Sequence, residues 1–490
     1  MFEMTAEAKK ADYRDRPEDE LLVEEHPSGP EQSGRSIIIK VLLAIAVGLG
    51  VYALPTPDNL SPEGHRFLAL LLSIVILWVT EAIPIGVSAL VAAAGLILFG
   101  IQSPGAAWAP FASPAVMFVL MIVMFGVVLN EVGLANRIMY YVFKMAGTGV
   151  KKLSFVLAVG CTMMATVFHD ATVTVIMIFA LVPVFVSMGI TPLKSNNLSK
   201  FFIILIPLAS SAGGFGTLLG GGRNPLAVEI LQSFTNGKVT VGFMEYIVIQ
   251  FPLAFLTAVA TWGVLWLIFR PKEKELPAEV MMDKMPPMRG KELGVTIIFT
   301  LTFIMWTLSD LTGWHVSVVA ALALAGFCGP KFISFKTICD KFPWESWIVF
   351  GAGVSMGAAM LSSGAGQYLA EVCLPLLDGQ PSFVVFYGFG FFGSFLSSLM
   401  SNSAAVALTL PITLPMAEMM NMSPQAVALL SPITTSFIML VIGCPPTIIA
   451  YSTGYFSQIE FVKVAVPWCL TLLLVSTVGV LLYWPMIGFY

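Results

Sequence analysis

Two short polar stretches interrupt otherwise apolar sequence, and their residues are the ones equipped for chemistry. The first runs Phe168-His169-Asp170-Ala171-Thr172, an imidazole beside a carboxylate with no other charge nearby in the chain. The second is Ser401-Asn402-Ser403, two hydroxyls flanking an amide. Each is followed by a break rich in glycine or proline: Gly220-Gly221-Gly222-Arg223-Asn224 after the first, Gly443-Cys444-Pro445-Pro446-Thr447 after the second. A helix that stops inside an apolar layer leaves N–H groups at one end, which attract anions, and carbonyls at the other, which attract cations. Glycine lets backbone approach closely, and proline frees carbonyls. The Ser397 hydroxyl, the Asn402 amide oxygen and the Gly443 carbonyl therefore form a candidate Na+ site. Ser401, Asn402 and Ser403, with Cys444, Pro445 and Thr447 of the break, are candidates to face a carboxylate.

In the first half His169, Asp170, Ala171 and Thr172 hold the matching tip, and Arg223 and Asn224 the matching break. Arg223 is the basic residue placed well inside a span. An unpaired arginine at membrane depth costs at least several kcal/mol, and Asp170 is its natural partner. The pair is either a structural tie between hairpin and broken helix or a fixed positive charge that replaces a coupling cation and helps hold the anion. The sequence leaves both open. Imidazole is the side chain that changes charge near neutral pH, so His169 also admits proton coupling.

The elements that must position these residues are membrane spans. Of 490 residues 57% are hydrophobic and 11% charged, far below the roughly 25% charged residues of a soluble chain. Residues 1–36 read as a disordered cytoplasmic tail, since positions 1–35 hold ten acidic and five basic residues and no apolar run. The apolar stretches predict an all-α polytopic membrane protein of about 11 transmembrane helices, two of them broken, together with two re-entrant hairpins over 153–191 and 382–418. Non-helical backbone at that depth is tolerated where protein or a watery cavity satisfies it. Five segments (1–40, 137–152, 194–200, 270–291 and 331–341) hold 21 of the 25 Lys and Arg residues, which places them and the N-terminus on the cytoplasmic side. The six cysteines are scattered without metal spacing. The tryptophans fall mostly near span ends and fit an interfacial belt. Glu81 is expected to cap the break that follows it, and Glu131 to meet solvent or Arg137.

The polar breaks recur in order. "GVVLNEVGLANRI", "FHDATVT" and "GGGRNPLA" match "GAAMLSSGAGQYLA", "MSNSAAV" and "GCPPTIIA". The first hairpin is entered from the basic side and the second from the opposite side. The pattern is an inverted repeat, with an N-terminal half over 37–270, a cytoplasmic linker over 271–292 and a C-terminal half over 293–490. Such repeats imply alternating access around a midplane site.

With "WVTEAIPIGVSALV", both hairpin tips and "GCPPTIIAYSTGYF" in view, the chain after residue 36 resembles the divalent anion:Na+ symporter family of dicarboxylate and sulfate transporters. The resemblance implies a homodimer in a bacterial-type plasma (inner) membrane, with a transport domain that moves as an elevator. It implies small anionic substrates such as C4-dicarboxylates, citrate or sulfate. By position it carries anion binding to Ser401, Asn402, Ser403 and Pro445, and Na+ to Ser397, Asn402 and Gly443. The first half departs from the family's Ser-Asn-Thr signature: His169-Asp170-Ala171 replaces it, and Ala165 stands where a serine ligand would be. Na+ coupling is therefore expected to be reduced or altered, with Na+ at one site at most and no other cofactor. Sulfate or another inorganic anion, carried by proton coupling or exchange, is the alternative. An anion channel with Arg223 as its selectivity charge, and an intramembrane enzyme using His169 and Asp170, are weaker readings. No enzymatic activity and no nucleic-acid partner are expected; the partners are a small anion and the lipid bilayer.

Overall fold

The computed structural model describes residues 34–80, 82–277, 285–377 and 379–489, with backbone only at 310–311. The expectations for the tail up to residue 33 and for Glu81 fall outside those residues. The described chain is helical, without strands; one isolated antiparallel bridge joins Gly149 to Glu275. The helices of eight residues or more are α1 (Gly34–Ala53), α2 (Pro62–Thr80), α3 (Ile85–Leu98), α4 (Pro114–Glu131), α5 (Leu134–Ala146), α6 (Val150–Ala165), α7 (Asp170–Ser187), α8 (Asn197–Gly213), α9 (Arg223–Phe234) and α10 (Phe243–Phe269). After the linker come α11 (Gly290–Thr307), α12 (Val316–Cys328), α13 (Trp344–Ser362), α14 (Ala365–Cys373), α15 (Ser382–Leu399), α16 (Asn402–Met419), α17 (Pro424–Thr434), α18 (Pro445–Ser452) and α19 (Gln458–Met486).

Among the described residues seven helices are long and apolar enough to cross a membrane, or eight if α13 and α14, bent by 74°, count together. The count falls short of about eleven because glycine and proline cut the remaining apolar runs. Gly214–Gly222 separates α8 from α9, and Thr435–Cys444 separates α17 from α18. Both hairpins turn at their polar stretches, between α6 and α7 and between α15 and α16.

Helix α1 exposes apolar side chains all round and buries only Ala44 and Gly48. That suits a helix whose surroundings are themselves apolar. Helix α8 is the opposite case: from Phe201 to Gly213 every residue is buried. It starts at a reciprocal cap between Asn196 and Ser199 and packs against α6, α7, α10 and α18. Helix α16 is also largely buried, packed against α9, α13, α14, α15 and α17. Helix α7 of the first hairpin packs on α18, and α16 of the second hairpin packs on α9. Each tip helix therefore meets the broken helix of the other half.

Two sharp bends have the same cause. Gly133 before α5 and Gly364 before α14 adopt φ of 84° and 73°, a left-handed conformation that glycine reaches without steric cost. The amphipathic helix α5 that Gly133 starts is tied to the second half by Arg137, which forms a two-pronged ion pair with Glu292 at the start of α11. Glu131 pairs with Lys341 at 2.6 Å. Of the two expectations for Glu131, exposure to solvent holds, and the pairing with Arg137 is corrected: Arg137 takes Glu292 and Glu131 takes Lys341. Trp78, Trp306, Trp468 and Trp484 are likewise buried in helix packing rather than part of a belt, and Trp468 Nε1 donates to Thr261 Oγ1 at 3.0 Å.

The contact that fixes the first hairpin against α8 is tight. Thr162 Oγ1 donates to Ala209 O at 2.9 Å, and a Cβ on Gly213 would lie 2.3 Å from Thr162 O and 2.6 Å from its Cα. Both obstacles are backbone and cannot swing aside. Gly213→Ala is expected to destabilise the protein by about 1–3 kcal/mol, measured by thermal unfolding in detergent. Gly126→Ala, inside α4, should not lower the transition and should raise stability by up to about 1 kcal/mol, since among the described residues no atom beyond its chain neighbours and its own helix backbone lies within 4 Å of where its methyl group would stand.

Candidate functional site

The two tips and the two breaks converge on Arg223. The first tip begins α7 with His169 as cap: its Nδ1 accepts from Ala171 N at 3.3 Å. The same N–H donates to Asp170 Oδ1 at 2.8 Å, and His169 Nδ1 lies 3.3 Å from that oxygen. Asp170 Oδ2 faces Arg223 Nη1 at 4.0 Å, and both side chains are buried, 7% and 4% exposed. The second tip reaches the same guanidinium nitrogen. The Asn402 amide is satisfied in one orientation, assigned from its neighbours. Its oxygen accepts from Arg223 Nη1 at 2.7 Å, and its nitrogen donates to Ser397 Oγ at 2.7 Å and Thr435 O at 3.2 Å.

The first break is shaped around this side chain. A Cβ on Gly214 would lie 2.2 Å from Arg223 Nη2, and one on Gly221 would lie 3.3 Å from Nη1. Nη2 donates to Ser211 O at 3.3 Å, while Nε has no partner among the described residues. Asn224 closes the break: fully buried, it donates to Gly214 O at 2.8 Å and Thr217 O at 2.6 Å. Thr217 Oγ1 in turn donates to Thr166 O, which ties the break to its tip.

The second break is built alike. Thr447 Oγ1 donates to Val441 O at 2.6 Å and Cys444 O at 2.8 Å. Ser397 Oγ donates to Thr435 O at 2.6 Å, and Ser398 Oγ accepts from Met439 N at 2.9 Å. Gly443 sits so close to the hairpin that a Cβ there would lie 3.1 Å from Ser398 Cα and 3.2 Å from Ser397 O. The breaks meet each other: Ser211 Oγ donates to Ser436 O at 2.9 Å, and the Cys444 thiol lies 4.0 Å from Ser211 Oγ.

Of the residues expected at the site, His169, Asp170, Arg223, Asn402 and Ser397 thus form one connected chain. Asn224, Thr447, Cys444 and Gly443 are buried behind it as parts of the breaks. The accessible lining is His169, at 46% side-chain exposure, with Pro445 exposed and Ala171, Thr172, Ser401, Asn402 and Ser403 partly so. Ser211, Gly214, Thr217 and Thr435 also belong to the arrangement and escaped sequence reading. A signal was present for Gly214 alone, in the density of glycines before Arg223.

Comparison with known proteins shows what the chain is similar to. The family model described as "Sodium:sulfate symporter transmembrane region" matches residues 35–490. A Haemophilus influenzae protein described as an uncharacterized transporter is 27% identical over 429 residues, covering 82% of this chain and 88% of its own. The sodium-dependent dicarboxylate transporter SdcS of Staphylococcus saprophyticus is 25% identical over 430 residues, covering 82% of each chain. Among solved structures, the Alcanivorax borkumensis YdaH transporter aligns with a TM-score of 0.56 at 16% identity, over 93% of this chain and 98% of its own. Neisseria gonorrhoeae MtrF aligns with a TM-score of 0.55 at 14% identity, over 93% and 96%. At those identities the structural likeness shows a shared fold.

Proposed function

Because the chain belongs to the sodium:sulfate symporter family, a family of membrane transporters rather than enzymes, we propose that it is a secondary active transporter of small divalent or carboxylate anions. The substrate is C4-dicarboxylate-like, a reading supported as far as a dicarboxylate by the name of SdcS, and it binds between the two hairpin tips. Sulfate or another inorganic anion is the alternative cargo. The two halves form an inverted repeat, and a homodimer carries the anion across an inner membrane by an elevator motion, with its N-terminus in the cytoplasm. Support for the repeat comes from the reciprocal packing of α7 on α18 and α16 on α9, and from the matched glycine bends at Gly133 and Gly364.

The observation that carries the reading is the Arg223 guanidinium, held between Asp170 of one tip and Asn402 of the other. A fixed cation at helix ends suits an anion site, and it alters Na+ coupling. Na+ would need the Asn402 oxygen together with Ser397 Oγ and the Gly443 carbonyl. That oxygen is engaged by Arg223, and the amide nitrogen, a donor, points at Ser397 Oγ and Thr435 O. The donor set does not fit a cation until the amide turns. A carrier with its own cation in place needs no ion to bind before the anion does, which favours exchange over symport.

Proteoliposomes loaded with unlabelled succinate or sulfate test this. Internal anion is expected to accelerate uptake of the same labelled anion at least about tenfold over empty vesicles, with no imposed Na+ gradient. Absence of uptake of both anions under every gradient would overturn the reading.

A further inference from the structure

The matched tips differ in what they leave for a ligand. At the second tip Ser401 Oγ accepts from Ala404 N at 3.3 Å, and the N–H groups of Asn402 and Ser403 meet no acceptor among the described residues. Those donors are available to a carboxylate. At the first tip the N–H groups of Asp170 and Thr172 are likewise without an acceptor among the described residues, but the N–H that matches Ser403, that of Ala171, is taken by the protein's own side chains: it donates to Asp170 Oδ1 at 2.8 Å and to His169 Nδ1 at 3.3 Å. The protein's own carboxylate stands where a second anionic end would be received.

The charges agree with this. Asp170 and Arg223 are the fixed charges of the junction, one of each sign; the Cys444 thiol, the His169 imidazole and the buried Tyr246 phenol are titratable groups beside them. Arg223 is buried and spends its Nη groups on Asn402, Asp170 and Ser211. A ligand carboxylate pressed against the first tip would meet a like charge with no free backbone donor at Ala171. A neutral group with an N–H or O–H fares better: the Asp170 carboxylate keeps acceptor capacity beyond the Ala171 N–H it already receives.

Resting on the transport reading above, we propose that the bound substrate carries one ionised end and one uncharged end. It is a small acid of dicarboxylate-like length, with its carboxylate at the second tip and an amide or protonated carboxyl group at the first. Asp170 is then the residue that sets the choice, since a site built to hydrogen-bond one group discriminates strongly against a partner that leaves its polar atoms opposed.

Succinate and its monoamide, succinamate, are the probes. Initial uptake of each labelled acid is measured with the full-length protein in proteoliposomes, at a fixed, mildly alkaline pH where succinate is doubly ionised. Succinamate is expected to be preferred by about tenfold or more, and Asp170→Asn, which removes the resident charge, should shift the preference toward succinate by a similar factor. A wild-type preference for succinate overturns the inference and leaves the transport reading standing. An unchanged preference in Asp170→Asn overturns the assignment to Asp170, and failure to carry either acid overturns both. The wild-type order decides by itself should the variant not fold.

Discussion

Arg223→Gln is expected to cost about 3–5 kcal/mol of stability and to lower anion transport by at least about 100-fold. Asp170 is 5% exposed and Arg223 3%, so removing the guanidinium leaves a carboxylate out of water with its opposite charge gone. The short amide of glutamine does not restore that charge, and Asn402 loses its ionised donor at 2.7 Å. The double variant Asp170→Asn/Arg223→Gln removes both charges at once, so most of the stability should return, because breaking a buried pair costs far more than replacing it. The cycle also separates the two roles the sequence left open. If the pair only ties hairpin to broken helix, transport returns together with stability. If Arg223 also shapes the anion site by fixing Asn402 at the second tip, stability returns and transport does not, and this second outcome is the one expected. Unfolding in detergent followed by tryptophan fluorescence, with uptake measured on the same preparations, reads both quantities.

The arrangement behind this prediction was partly legible beforehand, and the dividing line is physical. Spans announce themselves by the length of apolar runs, and both hairpin turns by polar residues where apolar ones should continue. The turns at His169 and Ser401 therefore fell where expected, and each is the cap of the helix that follows it. The pairing of Asp170 with Arg223 followed from the cost of an isolated charge. What sequence spacing did not carry was the choice among distant partners. Arg137 finds Glu292 at a separation of 155 residues and Lys341 finds Glu131 at 210, and nothing local in either segment marks the match. The same holds for Asn402. Its place at a tip was readable, but the direction of its oxygen depends on Arg223, Ser397 and Thr435 together. Ser211 and Thr435 look like ordinary small residues of packed helices until the breaks bring their carbonyls to the guanidinium and to the amide.

On the proposed reading the orientation of that single amide governs whether Na+ can couple, and the last expectation follows from it. Replacing Na+ by K+ or choline should change wild-type uptake by less than about twofold, and Na+ should leave wild-type thermal stability unchanged, because the oxygen it needs accepts from Arg223. The double variant Asp170→Asn/Arg223→Ala should behave differently. With alanine in place of the guanidinium the Asn402 amide is free to turn, and its oxygen joins Ser397 Oγ and the Gly443 carbonyl beside the broken helix, an oxygen set of the kind that coordinates Na+ in broken-helix carriers. Na+ at 100 times its dissociation constant would then add about 2.7 kcal/mol of stability, a shift readable in a melting curve without any transport assay. Choline at the same ionic strength controls for screening, which acts on surface charges alone. A Na+-dependent shift in the wild type would mean that the amide already turns in the presence of Arg223, and the guanidinium would no longer count as the resident cation. Ser397→Ala in the double-variant background should abolish the new Na+ response, since it removes one of the three oxygens, and a response that survives it would place the ion elsewhere.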